Sequence, residues 1–259
     1  MPIITFLSDF GTEDGYVAAM KGVAQSACAV AQLVDATHSI PPQDVRSGAW
    51  ALRHYWRLYP EGTIHVAVVD PGVGSDRRPL LACADGRWLI GPDNGIFSWV
   101  FHAARRWSAW EIAPSVRRPD AVGTTFHGRD VFAFAAGLLA SGMPRDQIAP
   151  KAVDPVRWLW PSPRRSRTKI AGVIIHVDRF GNAISNIPAP LISRLGAHVK
   201  VRCRGFEVTG LAPFYSARNP GEPLALLEST GLLELAICQG NAASKFGLQR
   251  GDDVLVQKA

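Results

Sequence analysis

At 259 residues the chain has room for a domain of usual size and a smaller partner, and 47% hydrophobic against 19% charged residues excludes a disordered or fibrous protein. The formal net charge of +6 raises nucleic acid as a partner, but the pairs Arg77-Arg78, Arg105-Arg106, Arg117-Arg118 and Arg164-Arg165 are scattered without aromatic stacking motifs, which favours solvated surface or subunit contacts. No apolar run nears the ~20 residues of a membrane span and Met1-Pro2-Ile3-Ile4-Thr5 is no signal peptide, so the expectation is a cytoplasmic protein with neither membrane nor nucleic-acid partner.

Ile3-Ile4-Thr5-Phe6-Leu7 is short, apolar and β-branched, and predicts a strand; the proline-free stretch 13–28 after it predicts a helix. Gln32-Leu33-Val34 is the next strand, running into Asp35, and 43–58 the next helix. The nearly continuous apolar run 63–69 suits a parallel strand covered on both faces. Strands at 79–84 and 87–91 and helices at 95–104 and 129–141 complete an α/β domain, 1–154, with a mostly parallel sheet and helices on both sides. The stretch 155–168, with Trp158, Trp160, Pro161, Pro163, Arg164, Arg165 and Arg167, has neither periodicity and reads as a linker. Residues 169–259 hold short runs at 169–177, 198–203, 206–211, 223–228, 233–238 and 253–257, the pattern of a smaller antiparallel β-barrel or sandwich domain. Cys28, Cys83, Cys203 and Cys238 lie far apart without a Cys-x-x-Cys pair, and read as reduced, with neither zinc site nor disulfide framework.

In an open α/β sheet the ligand crevice lies beyond the carboxyl ends of the strands. Aspartate recurs there: Asp9 in Ser8-Asp9-Phe10-Gly11, Asp35, Asp70 in Asp70-Pro71-Gly72-Val73-Gly74, and Asp93 in Gly91-Pro92-Asp93-Asn94-Gly95. One such residue is usually a turn former, but several around one crevice repel unless a cation or ligand hydroxyls compensate. Gly72 and Gly74 let the chain turn back so that Arg77 or Arg78 can meet Asp70, the equal alternative for this segment by itself being a Pro-Gly loop with exposed arginines. Thr125-Phe126-His127-Gly128-Arg129-Asp130 stands where a loop enters a helix, with His127 as the candidate active group and Arg129-Asp130 as a helix-start ion pair. Asp178-Arg179-Phe180-Gly181-Asn182 and Gly240-Asn241-Ala242-Ala243 are, by themselves, turn chemistry.

Together, and in this order through nearly the whole chain, these segments resemble the S-adenosylmethionine (SAM) hydroxide adenosyltransferases, or SAM hydrolases, relatives of the fluorinating and chlorinating enzymes. The resemblance implies an α/β domain followed by a small β-barrel domain, in a homotrimer with sites between subunits. It implies hydrolysis of SAM to adenosine and methionine by attack of water at ribose C5′, with no metal and no cofactor. Asp70, Arg77 and His127 would hold and activate the water, Arg77 being preferred to Arg78 because it stands seven positions after the aspartate. Asp9 would bind the ribose hydroxyls, Asn182 and the backbone at Ala242 the adenine, and Tyr215 would stack on it; Asp178 and Ser229 would meet the methionine. The alternatives are a halogenase (chlorinase), which the Asp70 carboxylate disfavours by repelling halide, and a non-catalytic adenosine or SAM sensor.

Overall fold

The apolar run at the amino terminus forms β1 (Ile3–Ser8), buried from Ile4 onward. A computed structural model describes residues 1–159, 162–196 and 198–259; Trp160 and Pro161, both in the stretch read as a linker, lie outside the described residues, as does Ala197. The chain divides into two units, Met1–Trp158 and Leu159–Ala259.

In the first unit β1 is followed by α1 (Tyr16–Ala27), β2 (Gln32–Thr37), α2 (Val45–Tyr55), β3 (Ile64–Val68), β4 (Pro79–Ala84), β5 (Arg87–Pro92), α3 (Ser98–Ala103) and β6 (Trp107–Glu111). A π-helical stretch, Gly128–Ala133, then runs into α4 (Phe134–Ala140), and α5 (Arg145–Ile148) and β7 (Lys151–Ala152) follow. The sheet order is β2-β1-β3-β5-β4-β6-β7. Pairings β1–β2, β1–β3 and β3–β5 are parallel, whereas β4–β5, β4–β6 and β6–β7 are antiparallel. The sheet is therefore mixed, which corrects the expectation of a mostly parallel one. The cause is local: β4 and β5 are joined by Asp85-Gly86 alone, with φ of 44° and 78°, the twist of a two-residue hairpin that can only return the chain antiparallel.

Alternate strand residues feed the two faces. Ile4, Phe6, Val66 and Val68 pack with Met20 and Ala24 of α1 and Ala135 of α4, whereas Leu7, Ala67 and Val69 pack with Leu52 of α2 and Val100 of α3. Helices thus cover both sides. At Gly91 in β5 the neighbouring strand comes so close that a Cβ would lie 2.2 Å from the Ala67 carbonyl oxygen and 3.1 Å from Phe97. Gly91→Ala must push β3 and β5 apart, and is expected to destabilise by about 3 kcal/mol. Thermal unfolding should show a Tm lower by roughly 6–12 °C; an unchanged Tm would mean that the strands have slack.

Within the stretch read as a linker, the Val156 N–H donates to Asp93 (2.7 Å) and the Trp158 N–H to Ser98 Oγ (3.0 Å), both in the first unit. The second unit contains β8 (Arg164–Arg165), β9 (Lys169–Val177), β10 (Ala183–Pro188), α6 (Ala189–Ser193), β11 (Val199–Cys203) and β12 (Phe206–Thr209). After a 3₁₀ turn at Tyr215–Ala217 come β13 (Pro223–Leu227), β14 (Leu232–Ile237), α7 (Ala242–Phe246) and β15 (Asp253–Lys258). All pairings here are antiparallel. The order is β12-β11-β15-β9-β10-β14-β13, and the two end strands β12 and β13 come into contact, so the sheet is nearly closed into a barrel. β10 is a strand the sequence reading lacks. Its Asn186 Oδ1 accepts the Val173 N–H (2.8 Å) beside a register shift in the β9–β10 ladder, so a turn-forming residue type serves here as a strand partner. All four cysteines are free.

Candidate active site

β3 ends at Val68, and the chain leaves the sheet through fully buried Val69 to Asp70. Two short turns, Val73 N–H to the Asp70 carbonyl (3.2 Å) and Ser75 N–H to the Gly72 carbonyl (3.1 Å), with Gly74 at φ 79°, fold the segment back. Arg77 thereby returns to Asp70 as a fork: Nε donates to Oδ1 at 2.9 Å and Nη2 to Oδ2. The side chains are only 9% and 5% exposed, so the pair lies in a low-dielectric place where its charges are strongly coupled. Arg77 Nη2 also meets His127 Nδ1 at 2.8 Å, and the guanidinium lies over Phe132, 5.3 Å from the ring centroid.

An arginine has only donors, so His127 Nδ1 must accept, and the ring is the neutral tautomer with its proton on Nε2. The electrostatics agree: burial and the adjacent Arg77 charge hold the imidazole below its usual pKa, against the opposing pull of Asp70. His127 is held by the close packing of the next residue, since a Cβ on Gly128 would be 3.2–3.3 Å from Phe126, Met20 and Phe10. The structure thus brings Asp70, Arg77 and His127 into one hydrogen-bonded chain and selects Arg77 over Arg78. Arg78 turns instead to Asp93, whose side chain is 2% exposed, donating through Nε at 2.8 Å. Arg129 forks onto buried Asp130 (2.7 and 2.8 Å), an ion pair at the start of the helix.

Asp9 leaves the carboxyl end of β1, next to β3 in the sheet. It is half-buried and accepts the Gln43 N–H at 2.7 Å through Oδ2. Asp35 does not follow β2 but lies within it, in an ion pair with Lys21 (3.0 Å) and a hydrogen bond with His38 Nε2 (3.1 Å).

In the second unit Asp178 accepts the N–H groups of Phe180 (2.9 Å) and Asn182 (2.8 Å) through Oδ1, and Asn182 Nδ2 donates to Oδ2 at 3.1 Å. That loop lies against the Asn241–Ala243 turn: the Ala243 N–H donates to the Gly181 carbonyl at 2.9 Å, and Asn241 caps α7 by accepting the Ser244 N–H at 2.7 Å. Asp178, Asn182 and Ala242 therefore share one corner of the barrel. Tyr215 is 44% exposed and donates its hydroxyl to Glu234 at 2.7 Å. Ser229 is exposed in the β13–β14 turn, where its hydroxyl donates to Glu228 at 3.2 Å. Among the described residues no group of three or more His, Cys, Asp or Glu is placed to hold a metal ion, and no helix is long and apolar enough to cross a membrane.

Residues 4–149 match the SAM hydroxide adenosyltransferase N-terminal domain model and residues 172–255 the model of the C-terminal domain. The chain belongs to the SAM hydroxide adenosyltransferase family. It is similar to a Thermus thermophilus protein named (R)-S-adenosyl-L-methionine hydrolase, 40% identical with 96% of each chain covered. A fluorinase of an Actinoplanes species is 29% identical over 100% of this chain and 98% of its own. Among solved structures, an uncharacterized conserved protein of Thermotoga maritima matches with a TM-score of 0.91 and 29% identity, over 98% of this chain and 100% of that one.

Two parts of the site region escape sequence reasoning. Ser8 and His38, both buried, hold the loop that carries Asp9: Ser8 Oγ bonds His38 Nδ1 (2.8 Å) and accepts the Phe10 N–H (3.3 Å), and the His38 carbonyl accepts the Gly11 N–H (2.9 Å). Thirty residues separate the two side chains; Ser8 opens the Ser8-Asp9-Phe10-Gly11 motif, but His38 stands in none, so nothing local joins them. Glu234 is 3% exposed, and burial, with Asp178 and Glu228 nearby, raises its pKa to about 7 despite the Tyr215 hydrogen bond. Its signal was visible, as the lone charge in the apolar strand Leu232–Ile237.

Proposed function

We propose that the chain hydrolyses SAM to adenosine and methionine, with water attacking ribose C5′ and the C5′–S electron pair leaving on sulfur as a neutral thioether. The observation that carries the reading is the buried Asp70–Arg77–His127 chain at the end of β3 in a member of this family. A sulfonium leaves without protonation, so the protein's task is to orient and polarise the nucleophile. Asp70 still has lone pairs beyond the two bonds from Arg77; it accepts a hydrogen bond from the water and, as the O–C5′ bond forms and the C5′–S bond breaks, takes the water's proton and passes it on to solvent. Arg77 Nη1 is buried and unpartnered, an unmet donor that costs about 1–3 kcal/mol until an acceptor reaches it. It and the Nε2–H of His127 are the donors that favour hydroxide-like character at the oxygen. Arg77 brings the charge that a metal ion brings elsewhere, and the reaction needs neither metal nor cofactor. Fixing the water in line with the C–S bond contributes roughly 7–11 kcal/mol.

Asp9 accepts hydrogen bonds from the ribose hydroxyls, with Gln43 fixing one of its oxygens. Asn182 and the backbone at Ala242 receive adenine, Tyr215 stacks on it, and Asp178 and Ser229 meet the methionine. The working form is a cytoplasmic homotrimer with sites between subunits.

Incubation with SAM in ¹⁸O-labelled water and excess chloride tests the reaction. Both sulfonium epimers should be supplied, because relatives' names specify the R form. The expected product is adenosine with ¹⁸O in the 5′-hydroxyl. Formation of 5′-chloro-5′-deoxyadenosine would convert the reading to halogenation, and SAM recovered intact would leave a binding protein.

A further inference from the structure

Four arginines converge at the opposite end of the first sheet from Asp70. Arg57, Arg87, Arg105 and Arg106, together with Glu61 and Asp85, line an open cavity of about 600 Å³. Its floor is the Asp85-Gly86 hairpin between β4 and β5, tied to the preceding loop by the Gly62 N–H, which donates to the Gly86 carbonyl (2.8 Å). Along β3, five residues at about 3.3 Å each separate this end from the Asp70 end by roughly 17 Å, so the cavity is a separate place.

The cations in it are built in. All three guanidinium nitrogens of Arg87 donate to backbone carbonyls: Nε to Tyr59 (2.7 Å), Nη1 to Asp85 (2.7 Å) and Nη2 to Arg57 (3.3 Å). Carbonyls fix the group but leave its charge uncompensated. Asp85 is already engaged, by Arg57 Nη2 (2.6 Å) and by the backbone N–H groups of Arg105 (3.0 Å) and Arg106 (3.1 Å). The guanidiniums of Arg105 and Arg106 make no hydrogen bond or ion pair among the described residues. Glu61 lies against Gly86, where a Cβ would be 2.9 Å from its Oε2, and is the only other acid in the lining. Four arginines against two carboxylates leave the cavity at +2.

We propose that this cavity is a binding site for a small multivalent phosphate anion of the pyrophosphate type. Guanidinium forks match phosphate oxygens two at a time, and an excess of two positive charges in a cavity larger than one phosphate group selects a ligand with linked anionic groups. Glu61 limits the affinity by repulsion. The site is independent of the hydrolase reading.

Isothermal titration of the full chain with inorganic pyrophosphate should give a dissociation constant below about 1 mM, an affinity of some 4 kcal/mol. The Arg105→Ala, Arg106→Ala double variant should weaken binding at least about tenfold, with SAM turnover unchanged as evidence of an intact fold. Glu61→Gln should tighten it about threefold, and citrate, which offers carboxylates in place of phosphates, should bind more weakly than pyrophosphate. Absence of binding in the wild type, equal affinity in the double variant, or displacement of pyrophosphate by SAM would each overturn the assignment.

Discussion

Asp70→Asn is expected to lower adenosine formation at saturating SAM by about 10³-fold, the scale on which single preorganised charge-stabilising groups act, while KM for SAM changes little. Asparagine keeps the shape of the side chain but removes its charge, and Arg77, 9% exposed, is left as a buried cation without a counterion. Breaking such a pair costs about 3–5 kcal/mol, so a lower Tm must accompany the loss of activity. The two effects separate in Asp70→Asn, Arg77→Met, where no charge remains to be compensated. That double variant should recover most of the lost Tm, since a buried pair replaced by apolar packing is often neutral for stability. Its adenosine formation should stay as low as that of Asp70→Asn, because nothing is left to polarise water. Recovery of turnover together with Tm would show that the pair serves only the fold.

The residues that can be read from the sequence are those whose local chemistry contains the answer. Asp70 to Arg77 is a short device: proline and two glycines allow an arginine to turn back to the acid, and the family resemblance, with its spacing of seven, selects Arg77 over Arg78. The apolar runs of β1 and β3 similarly announce central strands, buried on both faces. What failed is what depends on partners distant in the chain. Asp85-Gly86 carried a hairpin signal that made the sheet mixed, but the strands on both sides read as members of a parallel set, and the direction of pairing is a property of the turn rather than of the strands. Asp35 looks like a strand-end carboxylate, yet pairs with Lys21 and His38 from inside β2, because strand ends are set by ladder partners. His38 reaches Ser8 only once β1 and β2 lie side by side. Asp93 has a motif and a strand-end position, and still serves as the buried partner of Arg78 and an anchor for Val156.

His127 governs the second large effect, an acid limb in the pH profile. With the ring neutral, Nδ1 accepts from Arg77; protonation puts an N–H against an N–H and a positive charge beside another, so the link to Arg77 is lost. Turnover should follow the neutral fraction, falling about tenfold per pH unit below the imidazole pKa. Burial first, and the Arg77 charge second, place that pKa below the usual 6.5, so the rate should be level through neutrality and decline only at lower pH. Stability moves the same way: the folded state prefers the neutral ring more than the unfolded chain does. Its contribution is therefore full above the unfolded pKa and is lost as pH falls from there through the lowered folded value. His127→Gln, which cannot be protonated, should turn over roughly 10²-fold more slowly at neutral pH and lack this inflection. Profiles of kcat/KM and Tm against pH for both proteins decide the matter. An inflection above 6.5, or one that persists in His127→Gln, would assign the acid limb to another group and remove His127 from the water site.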